Sequence, residues 1–193
     1  MTKISSSRGP DRDISLRDLL RAETRADHDR VDAAFGSCDF ARPDDYRRFL
    51  IAQAAAWQTL EPVLDKGSLD RLIAIGADLE VLGIAVPPPL DDYDLPDSMS
   101  LGMRYVLQGS RLGSTVLLRD LQAASPAMAQ KASRYLVASA QLDEWCELSS
   151  KLQMRCVHDA TETVMVEDAR CTFGLFERAW RFTQPMAAAR NDD

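Results

Sequence analysis

Apolar residues in this chain recur at steps of three and four, segment after segment, and no long stretch alternates apolar with polar. That rhythm is helical, because a half-buried strand needs a period of two. It predicts an all-α chain, a single-domain bundle of about seven helices packed on one another. The first helix is expected from about Leu16 to Phe35, with Ser15 as N-cap and Asp18 in the first turn. Its inward stripe is Leu20, Thr24, His28, Val31 and Phe35.

Gly36, Ser37 and Cys38 interrupt that pattern, and Pro43, Asp44 and Asp45 open a second helix reaching about Leu64. Lys66 and Gly67 read as its end, and Ser68 as the cap of a third helix carrying Leu69, Leu72, Ile73, Ile75, Leu79 and Leu82. Pro87, Pro88 and Pro89 make residues 83–97 a loop. Further helices are expected near 98–121, 127–142, 142–156 and 162–182. Residues 1–13 read as a disordered lead, 14–184 as the domain and 185–193 as a polar tail.

The length, 193 residues, suits one domain at roughly 150 residues each. A net charge of −7 argues against a broad basic surface for nucleic acid. Cys38, Cys146, Cys156 and Cys171 form no C-x-x-C pair and read as buried thiols in a reducing compartment. The leading MTKISSSRGPDRD has no apolar core for a secretion signal, and no run of 18 apolar residues marks a membrane span. The expected location is the cytoplasm. Trp57, Trp145 and Trp180 read as core anchors, and Met99, Met103, Met128 and Met154 as packing.

Little in the chain suits catalysis by side chains alone. There are two histidines, His28 and His158, no P-loop, no G-x-S-x-G and no E-x-x-H pair. His158 reads as a surface loop residue. His28 sits on an apolar stripe, and Asp32, one turn on, is placed to accept a hydrogen bond from one ring nitrogen. The other nitrogen is then either free for a metal, or His28 is a core histidine satisfied by Asp32. Arg21, two turns earlier, shares the face at roughly 10 Å, so iron near His28 and an anionic group near Arg21 would fit one ligand. The predicted fourth helix repeats glycine on one face at Gly102, Gly109 and Gly113. Each costs about 1 kcal/mol relative to alanine, which calls for a flat ligand against the backbone or for close helix packing.

Three segments carry a resemblance. LLRAETRADHDRVD resembles the proximal helix of the heme oxygenases. YVLQGSRLGSTVL resembles their distal helix, in the bacterial form Y-V-x-E-G-S-x-L-G-[GA], and ARCTFGLFERAW their last helix, particularly in members that accompany bacteriophytochromes. The resemblance spans roughly residues 16–182 and implies a heme oxygenase-like helical bundle. It implies cleavage of heme, both substrate and cofactor, to biliverdin, carbon monoxide and iron.

It also implies roles. His28 is the iron ligand, Asp32 the acid behind it, and Arg21 the partner of a heme propionate. Gly109 and Gly113 are the distal glycines at the bound oxygen, and Ser110 helps hold distal water. Phe173 lines the pocket, and Tyr105 packs. Lys151 and Arg155 are candidates for the second propionate. Gln108 replaces the pattern's Glu, and Ser114 replaces its small residue and adds bulk beside the heme. Electrons come from a ferredoxin or reductase, since the chain has no nicotinamide, flavin or iron–sulfur fingerprint. A bacteriophytochrome is a possible bilin acceptor. The alternatives are a non-catalytic heme carrier or sensor and a heme-free regulatory protein on the same scaffold.

Overall fold

A computed structural model describes residues 14–91, 93–157 and 161–183. Among the described residues there are nine α-helices and one short 3-10 turn. None of these helices is long and apolar enough to cross a membrane. The expected lead, the tail and His158 lie outside the described residues.

The predicted first helix is two. Helix α1 (Leu16–Glu23) begins at Ser15, whose hydroxyl accepts from the Asp18 amide, and α2 is Arg25–Phe35. They part at Thr24 (φ −106°, ψ 8°). The Thr24 hydroxyl donates to the Leu20 carbonyl at 2.7 Å, the back-bonding that bends helices at Ser and Thr.

Helix α3 (Pro43–Leu60) starts with proline and two acids and is buried along most of its length, from Tyr46 and Phe49 to Trp57 and Leu60. A 3-10 turn, Glu61–Val63, follows it. Lys66 and Gly67 do not end a helix; they open α4 (Lys66–Val81). The cap is Asp65 rather than Ser68, because the Asp65 carboxylate accepts from the Ser68 amide. Helix α4 closes at Gly83, φ +68°, where Gly83 and Ile84 amides donate back to Glu80 and Leu79 carbonyls. That is a Schellman stop, and the positive φ is why glycine stands there.

Helix α5 (Leu101–Ala124) is capped by Ser100. The predicted fifth helix is split into α6 (Pro126–Lys131) and α7 (Arg134–Ser139). A tertiary contact makes the split: the buried Asp78 carboxylate accepts from the Arg134 and Tyr135 amides and caps α7 from outside. Helices α8 (Asp143–Met154) and α9 (Thr161–Phe182) complete the bundle. An antiparallel bridge, Ser15 to Cys156, ties the entry of α1 to the exit of α8.

Two apolar clusters result. The larger joins α3, α4, α7 and the end of α9 around Trp57, Phe49 and Trp180. The smaller holds Leu16 and Leu20 of α1 against Val106, Leu152, Val166, Ala169 and Phe173. Cys146 and Cys171 are exposed, correcting the expectation of buried thiols. Cys38 is half-buried, and burial pushes its thiol up to about 12. Met154 is also exposed, not packed.

Candidate functional site

The stripe of α1 and α2 is buried at Leu20, Thr24 and Phe35 and half-buried at Val31. His28 breaks the pattern, with 57% of its side chain exposed. It is therefore not a core histidine. Its Nδ1 lies 3.2 Å from Asp32 Oδ2, within reach of a hydrogen bond. Its ring meets Phe173 of α9 edge-on, centroids 5.8 Å apart at 74°. A carboxylate and an aromatic ring thus flank the imidazole. With the proton on Nδ1, the Nε2 lone pair points away from Asp32 and is left to accept a metal.

Helix α5 carries a row that opens to solvent beyond Gly109. Gly109, Leu112, Gly113 and Val116 follow helical spacing, and Leu112 and Val116 are 48% and 45% exposed. The three glycines of this helix have different reasons. A β-carbon at Gly102 would overlap the Met165 carbonyl oxygen and press to 3.0 Å on Ala169 N and Asp168 Cβ, so that glycine serves the close α5–α9 crossing. A β-carbon at Gly109 would meet Trp145 at 3.5 Å, an ordinary contact. One at Gly113 would meet nothing within 4 Å. The helix bears the cost of Gly113 with no packing return.

Tyr105 links the two regions. Its half-buried phenol is pushed up mainly by burial, with Thr24, at the break between α1 and α2, among the groups near it. Its ring lies 5.8 Å from that of Trp145 of α8. From this junction α2 carries His28 one turn on, and α5 carries Gly109 one turn on. Arg21 is exposed in the last turn of α1, with no carboxylate at ion-pair distance among the described residues.

Other expected residues stand apart from this junction. Ser114 is buried, and its hydroxyl donates to the Ser110 carbonyl at 3.1 Å, so it adds no bulk to the open row. Helical spacing puts it with buried Leu107 and Arg111 instead. Ser110 borders solvent, but its hydroxyl is engaged: it accepts from Arg71 at 3.0 Å and donates to the Leu107 carbonyl at 2.8 Å. That leaves it one lone pair for a further donor. Lys151 is exposed and paired with Glu147 on its own helix at 2.6 Å. Arg155 joins the α1 seam through its backbone carbonyl. Gln108 is buried and accepts from Arg111, whose charge is met by Glu144 at 2.7 Å.

Sequence reasoning missed the polar network behind α5. Arg71 and Asp78 stand at core spacing with Ser68 and Ile75 on α4, and all four are buried. Charged residues in core register were the signal. Arg71 reaches Ser139, Leu107 and Ser110, and Tyr135 joins Trp57, Gln53 and Asp78.

Comparison with known proteins agrees with the motif resemblance. No protein-family model matches the chain. A curated heme oxygenase of Xanthomonas campestris is 30% identical over 110 residues, 55% of this chain and 64% of that protein. Heme oxygenase PigA of Pseudomonas aeruginosa is 31% identical over 128 residues, 56% of this chain and 65% of that protein. The matched part thus spans just under two thirds of either relative. Among solved structures, the NO- and CO-bound heme oxygenase of Neisseria meningitidis superposes with a TM-score of 0.66 at 22% identity, covering 88% of this chain and 92% of that one. The chain resembles bacterial heme oxygenases and has their all-α fold.

Proposed function

We propose that this chain is a heme oxygenase, with heme as its substrate and resident cofactor. The observation that carries the reading is His28, an exposed imidazole on an otherwise inward stripe, flanked by Asp32 and Phe173. The residues present fit the group. A flat apolar macrocycle suits the exposed Leu112 and Val116, and Gly113 leaves room for its close approach. A lone imidazole is enough when the metal arrives with its own ring of ligands.

In this reading His28 binds the iron through Nε2, and Asp32 fixes the tautomer and raises its basicity. Phe173 limits the tilt of the ring. Arg21 pairs with a propionate, the exposed cation meeting the exposed anion. Gly109 and Gly113 let backbone approach the oxygen-binding side, where bulk would obstruct it. Ser110 keeps one lone pair for a distal water. Lys151 is the weaker propionate candidate, since Glu147 already holds it. Bound heme supplies the iron that activates oxygen and is itself opened to biliverdin, with release of carbon monoxide and iron. The protein orients the ring and excludes competing chemistry.

Electrons come from a ferredoxin or reductase. The likeness of ARCTFGLFERAW to bacteriophytochrome-associated members supports a bilin photoreceptor as acceptor, and the unpaired cysteines support a reducing cytoplasm. The test is to add hemin and record absorption, then supply a ferredoxin system or ascorbate with a catalase control. A sharp heme band that decays into a bilin band is expected. A stable band would replace the oxygenase by a heme carrier. His28→Ala should lose the band while thermal stability stays within about 0.5 kcal/mol, as at other exposed positions. A band unchanged in that variant would remove His28 from the site.

A further inference from the structure

Among the described residues, Arg71 is the only arginine in the set of largest fully buried side chains, with 1% exposure. Its acceptors are neutral. Nε donates to Ser139 Oγ at 2.9 Å, one terminal nitrogen to the Leu107 carbonyl at 2.7 Å, the other to Ser110 Oγ at 3.0 Å. Its guanidinium stacks 4.4 Å from the Trp57 ring. No carboxylate lies within ion-pair distance among the described residues. The nearby Glu144 is half exposed and pairs with Arg111, and Asp78 pairs with Arg134. A buried charge left uncancelled is costly, so one expects it where its field or its geometry is used.

The three acceptors also describe a clamp. Leu107 and Ser110 belong to the turn of α5 that contains Gly109, and Ser139 belongs to α7. A carbonyl inside a helix normally accepts once, from its own ladder; here Leu107 accepts from Arg71 and Ser110 as well. The fork fixes that turn against α4 and α7.

We propose that Arg71 is a positioning residue for the distal side: it holds the Gly109 turn in place and lends it a positive charge that favours an anion bound at the Gly109–Gly113 row over a neutral ligand. The inference rests on the heme reading above. The charge stands no farther from that row than the thickness of one helix, roughly 10 Å. In a partly screened interior this is worth about tenfold in affinity for a singly charged anion.

The probes are azide, an anion, and imidazole, a neutral ligand, titrated into the ferric heme complex. Arg71→Met should weaken azide about tenfold and leave imidazole within twofold. Arg71→Lys, which keeps the charge and loses the fork, should keep the azide-to-imidazole ratio. It should also speed amide exchange across Leu107–Arg111. Equal loss of both ligands in Arg71→Met, or a ratio that falls as far in Arg71→Lys, would overturn the proposal. Arg71→Gln, charge-free but able to hydrogen-bond, takes the place of the Met variant if that one does not fold. If the native chain shows no heme band, the functional reading fails. The clamp is then read on the heme-free protein, where unchanged exchange at Leu107–Arg111 in Arg71→Lys would sink it separately.

Discussion

Gly102 and Gly113 stand three turns apart on one face of α5, yet they answer to different neighbours. At Gly102 the backbone of α9 occupies the place of a side chain. At Gly113 nothing does. One glycine is explained by the protein and the other is not, although their sequence signal was the same. The contrast extends to the surroundings. Gly102 lies beside the closed cluster of Leu20, Val106, Val166 and Ala169. Gly113 lies in a row with exposed Leu112 and Val116. A ligand is the economical reading of a costly residue whose neighbours are missing.

The largest effect should come from Gly102→Ala. Its methyl would meet the α9 backbone and the Asp168 β-carbon, which cannot swing aside, so α5 and α9 must separate. A loss of about 3 kcal/mol is expected, roughly 6 to 12 °C in midpoint for a chain of this size. Thermal unfolding followed by circular dichroism checks it. A variant as stable as the native chain would mean that the crossing is loose, and the comparison would lose its first half.

Gly113→Ala should act in opposite directions on fold and ligand. Without heme, the variant should gain about 1 kcal/mol, since alanine is the better helix former and meets no obstacle. With heme, affinity should fall about tenfold as the methyl intrudes, a cost of about 1.4 kcal/mol. The two are read by melting the heme-free protein and by hemin titration. A stabilised variant that binds hemin as well as the native chain would leave Gly113 without a ligand-based reason.

These pairs show how far the sequence could be read. Helical rhythm was legible because the long helices α3, α4 and α5 bury a stripe of residues, and the cap Ser15 lies beside its helix in the chain. The breaks were harder. The bend at Thr24 depends on a hydroxyl turning back to Leu20, and the gap between α6 and α7 on Asp78, 56 residues from Arg134. Asp65 was overlooked as a cap because Lys66 and Gly67 have the look of a stop. In the site, His28 was legible as a polar residue in apolar register. Spacing alone could not say whether it was buried. Ser114 was misplaced because motif adjacency was read as spatial adjacency, whereas one residue along a helix is a turn of 100°. Arg71 was missed because Leu72, Ile75 and Leu79 already accounted for the face it shares.

The smallest effect concerns the seam that sets α1 beside the bundle and so supports the open half of the comparison. Asp18 is exposed, and hydrogen bonds from Ser15 and then Gln153 hold its carboxyl below the usual carboxylate range. Ser15 donates to it at 2.7 Å, and Gln153 of α8 reaches Ser15 at 3.0 Å. A carboxyl easier to ionise in the folded state than in the unfolded one stabilises the fold when charged. Its contribution is complete above the unfolded pKa, near 4, and is lost as pH falls through the lower folded value. Asp18→Asn removes that dependence. The stability gap between native chain and variant, measured by urea unfolding from pH 6 downward, should narrow toward acid. A gap that stays constant would show that the seam is held by the backbone bridge from Leu16 to Arg155 and not by this carboxylate. The site half would then rest on main-chain contacts on that side, as Gly102 does at its own crossing.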